Sequence, residues 1–96
     1  MANWTFFTNH GHVLFVLAQF PDLTIREISF KVGITQRQTQ KIIAELIEGN
    51  FIQVTKIGRN NHYKVNGKKR LRHPIEEKCQ IKQLVGVITE ANFHQK

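Results

Sequence analysis

Within the stretch TQRQTQKIIAE, residues 35–45, the side chains of Gln36, Arg37, Gln38, Gln40 and Lys41 come close together, with no acid before Glu45. A guanidinium can donate two parallel hydrogen bonds to guanine, and a carboxamide can both donate and accept at adenine. If Ile42, Ile43 and Leu46 face a core, helical spacing carries Gln36, Arg37, Gln40, Lys41, Ala44 and Glu45 to the opposite face. Small Ala44 would then allow close approach to a partner. Thr35, with a helix N-terminus behind it, suits a phosphate. On an isolated helix such a face is merely solvated, so the neighbouring elements have to decide.

A second concentration of chemistry follows. Residues 56–73 contain Lys56, Arg59, Lys64, Lys68, Lys69, Arg70 and Arg72 without one acid, whereas residues 1–21 carry no Lys, Arg, Asp or Glu. The net charge of +7 is therefore local, and it favours a polyanionic partner, either nucleic acid or an anionic membrane surface. Arg59, Asn60, Asn61 and His62 are expected at a hairpin tip, with Lys56 and Lys64 on its strands. Turn chemistry alone accounts for Asn60 and Asn61. Arg59 has no turn role, and contact with a phosphate or a minor groove explains it better. Arg26 could touch a phosphate backbone or stand as a solvated charge.

Catalytic and metal chemistry find little support. His10 and His12 diverge on a helix, and His73 with Cys79 lacks a third ligand at any recognisable spacing. No Ser/His/Asp set, Gly-rich phosphate loop or carboxylate pair stands out. The expectation is a non-enzyme without cofactor or metal.

The elements that must position these groups can be read in order. NHGHVLFVLAQF predicts a helix capped by Asn9 and ended at Phe20 by Pro21. Thr24 with Glu27, and Thr35 with Gln38, are two capping boxes. Each opens a short helix, and Gly33 and Gly49 end them. Two capped helices around a tight Gly turn make a helix-turn-helix, about residues 24–48. Alternating apolar residues about GRNN then predict a hairpin over about 51–65. Pro74 at a first helical position, with Glu76 and Glu77 in the first turn, predicts a last helix over about 74–90, and residues 92–96 read as a frayed tail. The fold class is mainly α with a small β-hairpin, a single winged helix-turn-helix domain across residues 1–96.

With these pieces in place the chain resembles winged-helix transcription regulators of the MarR and ArsR type, over about residues 4–88. The segments that carry the likeness are TNHGHVLFVLAQFPDLTIREIS, VGITQRQTQKIIAELIEGNFI, GRNNHYKV and LRHPIEEK. The resemblance implies double-stranded DNA binding, usually as a homodimer. Typical MarR members have longer flanking helices around a ligand pocket, while one helix follows the wing here. The paired cysteines or His/Asp sets of ArsR metal sensors are missing too.

Base contacts are thus expected from Gln36, Arg37, Gln40 and Lys41, and backbone contacts from Thr35, Lys56, Arg59, Asn60, Asn61 and Lys64. The first and last helices supply more apolar surface than one small core needs. Phe15, Val16, Ile81, Leu84, Val85 and Ile88 are therefore expected at a dimer interface. One cysteine, Cys79, excludes an internal disulfide and fits a reducing cytoplasm. The apolar run Val13–Ala18 is too short to span a bilayer. The alternative is a winged helix that binds protein rather than a DNA sequence.

Overall fold

The structure, a computed structural model, describes residues 3–94. It contains helices α1 (Asn9–Gln19), α2 (Ile25–Val32) and α3 (Gln36–Glu48), strands β1 (Ile52–Ile57) and β2 (Asn60–Val65), and helix α4 (Ile81–His94). Three helices followed by an antiparallel hairpin and a closing helix form a winged helix-turn-helix-like fold.

Local signals build α2 and α3. The Thr24 hydroxyl accepts from the Glu27 N–H at 3.1 Å, and the Thr24 N–H donates to the Glu27 carboxylate at 2.9 Å. Thr35 and Gln38 repeat the exchange at 3.0 Å in both directions. These bonds satisfy donors that the first helical turn leaves without partners. Gly33 ends α2 in the left-handed region at φ 86°, with its N–H on the Ser29 carbonyl. At the end of α3 the left-handed residue is Asn50 (φ 64°), one position beyond the expected Gly49. Gly49 serves a different need: a Cβ there would come within 3.0 Å of the Phe51 ring.

The core joins the first three helices, and Ile81 at the start of α4, to the base of the hairpin. Val13, Leu14 and Leu17 meet Ile28, then Ile42, Ile43 and Leu46, then Phe51, Ile52, Tyr63 and Ile81. Burying a side chain such as Leu17 or Ile28 stabilises the fold by about 1.5–3 kcal/mol. Thr39 lies fully buried in the same stripe, and its hydroxyl donates to the Thr35 carbonyl at 3.0 Å. That back-bond lets a polar residue occupy a core position.

Helix α1 differs from expectation at both ends. Its N-cap is Thr8 rather than Asn9, and no side chain caps it. Asn9 is the first helical residue, with its side-chain oxygen 3.2 Å from His12 Nδ1. The helix stops at Gln19, and Phe20 is the C-cap.

The C-terminal segment departs further. Pro74–Lys78 form turns, and the last helix begins only at Ile81. Glu76 and Glu77 therefore precede the helix instead of lying in its first turn. Non-local pairing is the cause: Arg70 bridges Gln80, the Leu71 N–H donates to the Cys79 carbonyl, and the Ile81 N–H donates to Lys69. Residues 79–80 are held extended and cannot be helical. The helix then starts where the Gln83 side chain accepts from the Gln80 N–H at 2.9 Å, half of a capping box. It continues through His94, so the tail expected from residue 92 is helical there, and residues 95–96 lie outside the described residues.

Candidate nucleic-acid interface

Helix α3 buries Thr39, Ile42, Ile43 and Leu46. That choice of inner face settles what points outward: Gln36, Arg37, Gln40, Lys41 and Ala44 are all exposed. Arg37, Lys41 and Ala44 lie nearly opposite the buried stripe, while Gln36 and Gln40 stand at its flank. Glu45 is drawn aside, because its carboxylate accepts from His10 Nε2 of α1 at 2.8 Å. Glu48, which sequence reasoning passed over, completes an acidic end to this face. The cationic and amide groups thus gather on the N-terminal half of α3, the half that contacts base edges in helix-turn-helix docking.

The hairpin register pairs Ile52 with Val65, Val54 with Tyr63, Lys56 with Asn61 and Ile57 with Asn60. Only Gly58 and Arg59 remain at the tip. Asn60, Asn61 and His62 belong to β2, which corrects their expected place in the turn. Gly58 at φ 63° followed by Arg59 is the Gly-first sign pattern of a type II′ turn, suited to the twist of the strands. Alternation then divides the expected backbone contacts. Lys56 and Asn61 share the face of buried Tyr63, and the Asn61 amide donates to the Tyr63 hydroxyl at 3.3 Å. Lys64 and Asn60 lie on the other face, beside Thr55 and His62. Arg59 projects at the tip, near Thr24 and Ile25 at the start of α2.

The wing is tied to the helices from one side. The Tyr63 N–H donates to the Pro21 carbonyl at 2.9 Å, and His62 Nδ1 bonds the Asp22 carboxylate. Sequence reading missed both ties, since they join residues about forty positions apart. They bring the wing and the start of α2 together on one side of the molecule.

Among the described residues, carboxylates meet basic side chains only at His10–Glu45 and His62–Asp22. No described Lys or Arg lies within 4.0 Å of a carboxylate. Arg37, Lys41, Lys56, Arg59 and Lys64 thus keep their charge available to a ligand. Among the described residues no cluster of three or more His, Cys, Asp or Glu could hold a metal ion, and no helix is long and apolar enough to cross a membrane.

The expected dimer residues separate into two groups. Phe15 and Ile81 are buried within the chain's own core, which withdraws them from a surface role. Phe7 covers Phe15 edge-on, with ring centroids 5.2 Å apart. The Phe15 ring of α1 is thus covered by a residue just before the helix. Val16 and Val85 pack against the core and are half-buried, as are Leu84 and Ile88. Val87 is 67% exposed beside Leu84 and extends that edge of α4.

No family model matches the chain, and no curated protein matches it.

Proposed function

We propose that this protein reads a sequence in double-stranded DNA and regulates transcription as a homodimer, in the manner of the MarR and ArsR regulators that its sequence resembles. The carrying observation is the exposed N-terminal half of α3. Gln36, Arg37, Gln40 and Lys41 stand there without a carboxylate partner, and a wing tipped by Arg59 accompanies them. In this reading α3 enters the major groove, Arg37 pairs with a guanine, and Gln36 or Gln40 pairs with adenine. Thr35 and the wing residues Lys56, Arg59, Asn60, Asn61 and Lys64 hold phosphates. The protein works as a binding protein in a reducing cytoplasm, not as an enzyme.

Dimerisation rests on the edge of α4 formed by Leu84, Val87 and Ile88, the apolar surface which that helix leaves accessible. A two-fold axis there would set two copies of α3 against successive major grooves about 34–36 Å apart. Sedimentation at micromolar concentration checks this: a dimer is expected, and Leu84→Asp with Ile88→Asp should give a folded monomer. A single species of monomer mass in the unmodified protein would remove the dimer.

Selection of bound fragments from a random duplex pool tests the main reading, and enrichment of a palindrome is expected. A second reading, a protein-binding winged helix, has one observation in its favour. Phe30 is 87% exposed on the outer face of α2, where its ring could anchor a protein partner. Failure of the pool to enrich would select this second reading.

A further inference from the structure

The basic run at 56–73 is continuous in sequence, but the fold divides it. Lys56, Arg59 and Lys64 go to the wing. Lys68, Lys69, Arg70 and Arg72 go to a loop that doubles back on residues 78–82 through the Arg70–Gln80 bridge. Lys78 and Lys82 join them there. Leu71, Cys79 and Ile81 turn inward, while Lys68, Arg70, Arg72, Lys78 and Lys82 are exposed.

This second cluster sits at the other end of the proposed DNA-reading surface. Lys69 Nζ lies 5.6 Å from the Phe51 ring centre, and the Arg72 guanidinium lies 5.9 Å from it. Phe51 follows the C-terminal end of α3, and the thirteen residues of that helix span about 20 Å. The Asn66 N–H bonds the Phe51 carbonyl at the base of the hairpin, about 17 Å from its tip at the rise of an extended strand. A duplex seated on Arg37 and Arg59 thus lies toward the far ends of both elements from the loop. Bringing the same duplex onto the loop as well would require bending it, at a cost in deformation energy.

Two of the six cations have a local explanation. Lys69 and Arg72 lie near the C-terminus of α3, where the macrodipole favours positive charge. Lys68, Arg70, Lys78 and Lys82 have none. Glu76 and Glu77 occur in the intervening turn, yet neither pairs with them within 4.0 Å. Concentrating like charges without counter-charges is destabilising, and an external polyanion relieves it.

We propose that Lys68, Arg70, Lys78 and Lys82 form a second phosphate-binding surface, which holds a duplex separate from the one read by α3 and the wing. The protein then bridges two stretches of DNA. The inference rests on the DNA reading above. A membrane surface fits less well: in the turn beside the cations only Ile75 offers a large exposed apolar side chain, whereas interfacial elements present a whole apolar face.

The test uses the full chain. A random-sequence duplex is fixed to beads, loaded with protein, washed, and offered a second, fluorescent duplex. The unmodified protein should retain the second duplex. Replacing Lys68, Arg70, Lys78 and Lys82 together by Ser should change bead loading by less than about threefold and cut retention by about tenfold or more. The pairs Lys68→Ser with Arg70→Ser, and Lys78→Ser with Lys82→Ser, should each cut it by about threefold, which preserves the test if the fourfold variant is unstable. Circular dichroism should be unchanged in the pair variants. Equal retention by all variants overturns the proposal and assigns bridging to two copies of α3. Loading without retention by the unmodified protein also overturns it, while leaving the DNA reading intact. Absence of loading defeats the DNA reading itself. Retention of phosphatidylserine-containing vesicles in place of the second duplex overturns it in favour of a membrane surface.

Discussion

At the start of α2 the Glu27 carboxylate closes a capping box on Thr24, and at the start of α3 the Gln38 carboxamide closes the same box on Thr35. The geometries agree to within about 0.1 Å, but the charges differ. Both helices also carry an arginine as their second residue, Arg26 in α2 and Arg37 in α3. Cations are disfavoured at a helix N-terminus, and acids are favoured there by about 0.3–1 kcal/mol. Helix α2 offsets Arg26 with Glu27. Helix α3 leaves Arg37 unbalanced and closes its cap with a neutral group. A carboxylate in the Gln38 position would repel the phosphates that α3 is proposed to approach. In the proposed reading, the neutral cap of α3 gives up local helix stability for approach to phosphate, a trade that α2 does not need.

The largest expected effect tests whether the two helices form one unit. Ile28 of α2 is fully buried against the shared core. Ile28→Ala should cost about 2–5 kcal/mol of unfolding free energy. Amide exchange should show α2 and α3 losing protection together. Retained protection in α3 alone would mean that the helices are mounted independently.

The equivalent arginines come next. Arg37→Ala should cost about 1–3 kcal/mol on the preferred duplex and relax base preference at one position in each half-site. Arg26→Ala should weaken all duplexes alike, by roughly one counterion in the salt slope at most. Equal behaviour of the two variants would erase the distinction between a reading helix and a supporting one.

How far the sequence disclosed this arrangement follows from the range of the interactions. Thr24–Glu27, Thr35–Gln38 and the Gly33 turn are signals contained within a few residues, and they were legible. So was the apolar alternation that makes the hairpin. The start of α4 was not, because Pro74, Glu76 and Glu77 imitate a helix opening while pairing with residues 69–71 holds the following residues extended. The cover of Phe15 by Phe7 and the wing ties to Pro21 and Asp22 also depend on tertiary approach. For the candidate interface, the face of α3 could be read from its buried stripe. The division of wing residues between two faces required the register, which a turn placed two residues too late would obscure.

A smaller effect exchanges the caps. Gln38→Glu should stabilise α3 by about 0.3–1 kcal/mol through the macrodipole, yet weaken duplex binding. Glu27→Gln should weaken the α2 cap and leave duplex binding nearly unchanged. Thermal unfolding and a binding titration on the same two variants separate the contributions. A Gln38→Glu protein that binds DNA as well as the unmodified one would remove phosphate repulsion as the reason for the neutral cap.

The smallest effect is a response to acid confined to one cap. Hydrogen bonds from the Thr24 backbone N–H, then from its hydroxyl, hold the Glu27 carboxyl below its ordinary value of 4.5, with a lesser contribution from Lys31; desolvation acts in the opposite direction. A carboxyl depressed by folding contributes stability that is present above its unfolded value and is lost as pH falls through the folded one. The α2 cap should therefore hold at neutral pH and weaken progressively below about pH 4.5, as Glu27 takes up a proton and accepts less strongly. Gln38 has no proton to gain in that range, so the α3 cap should persist. Following the Thr24 and Thr35 amide resonances through an acid titration compares the two directly. The Thr24 signal should move with a midpoint below 4.5 while Thr35 stays in place. Parallel movement of both signals would point to general loosening of the helix pair, and the contrast between a charged and a neutral cap would then lose its physical basis.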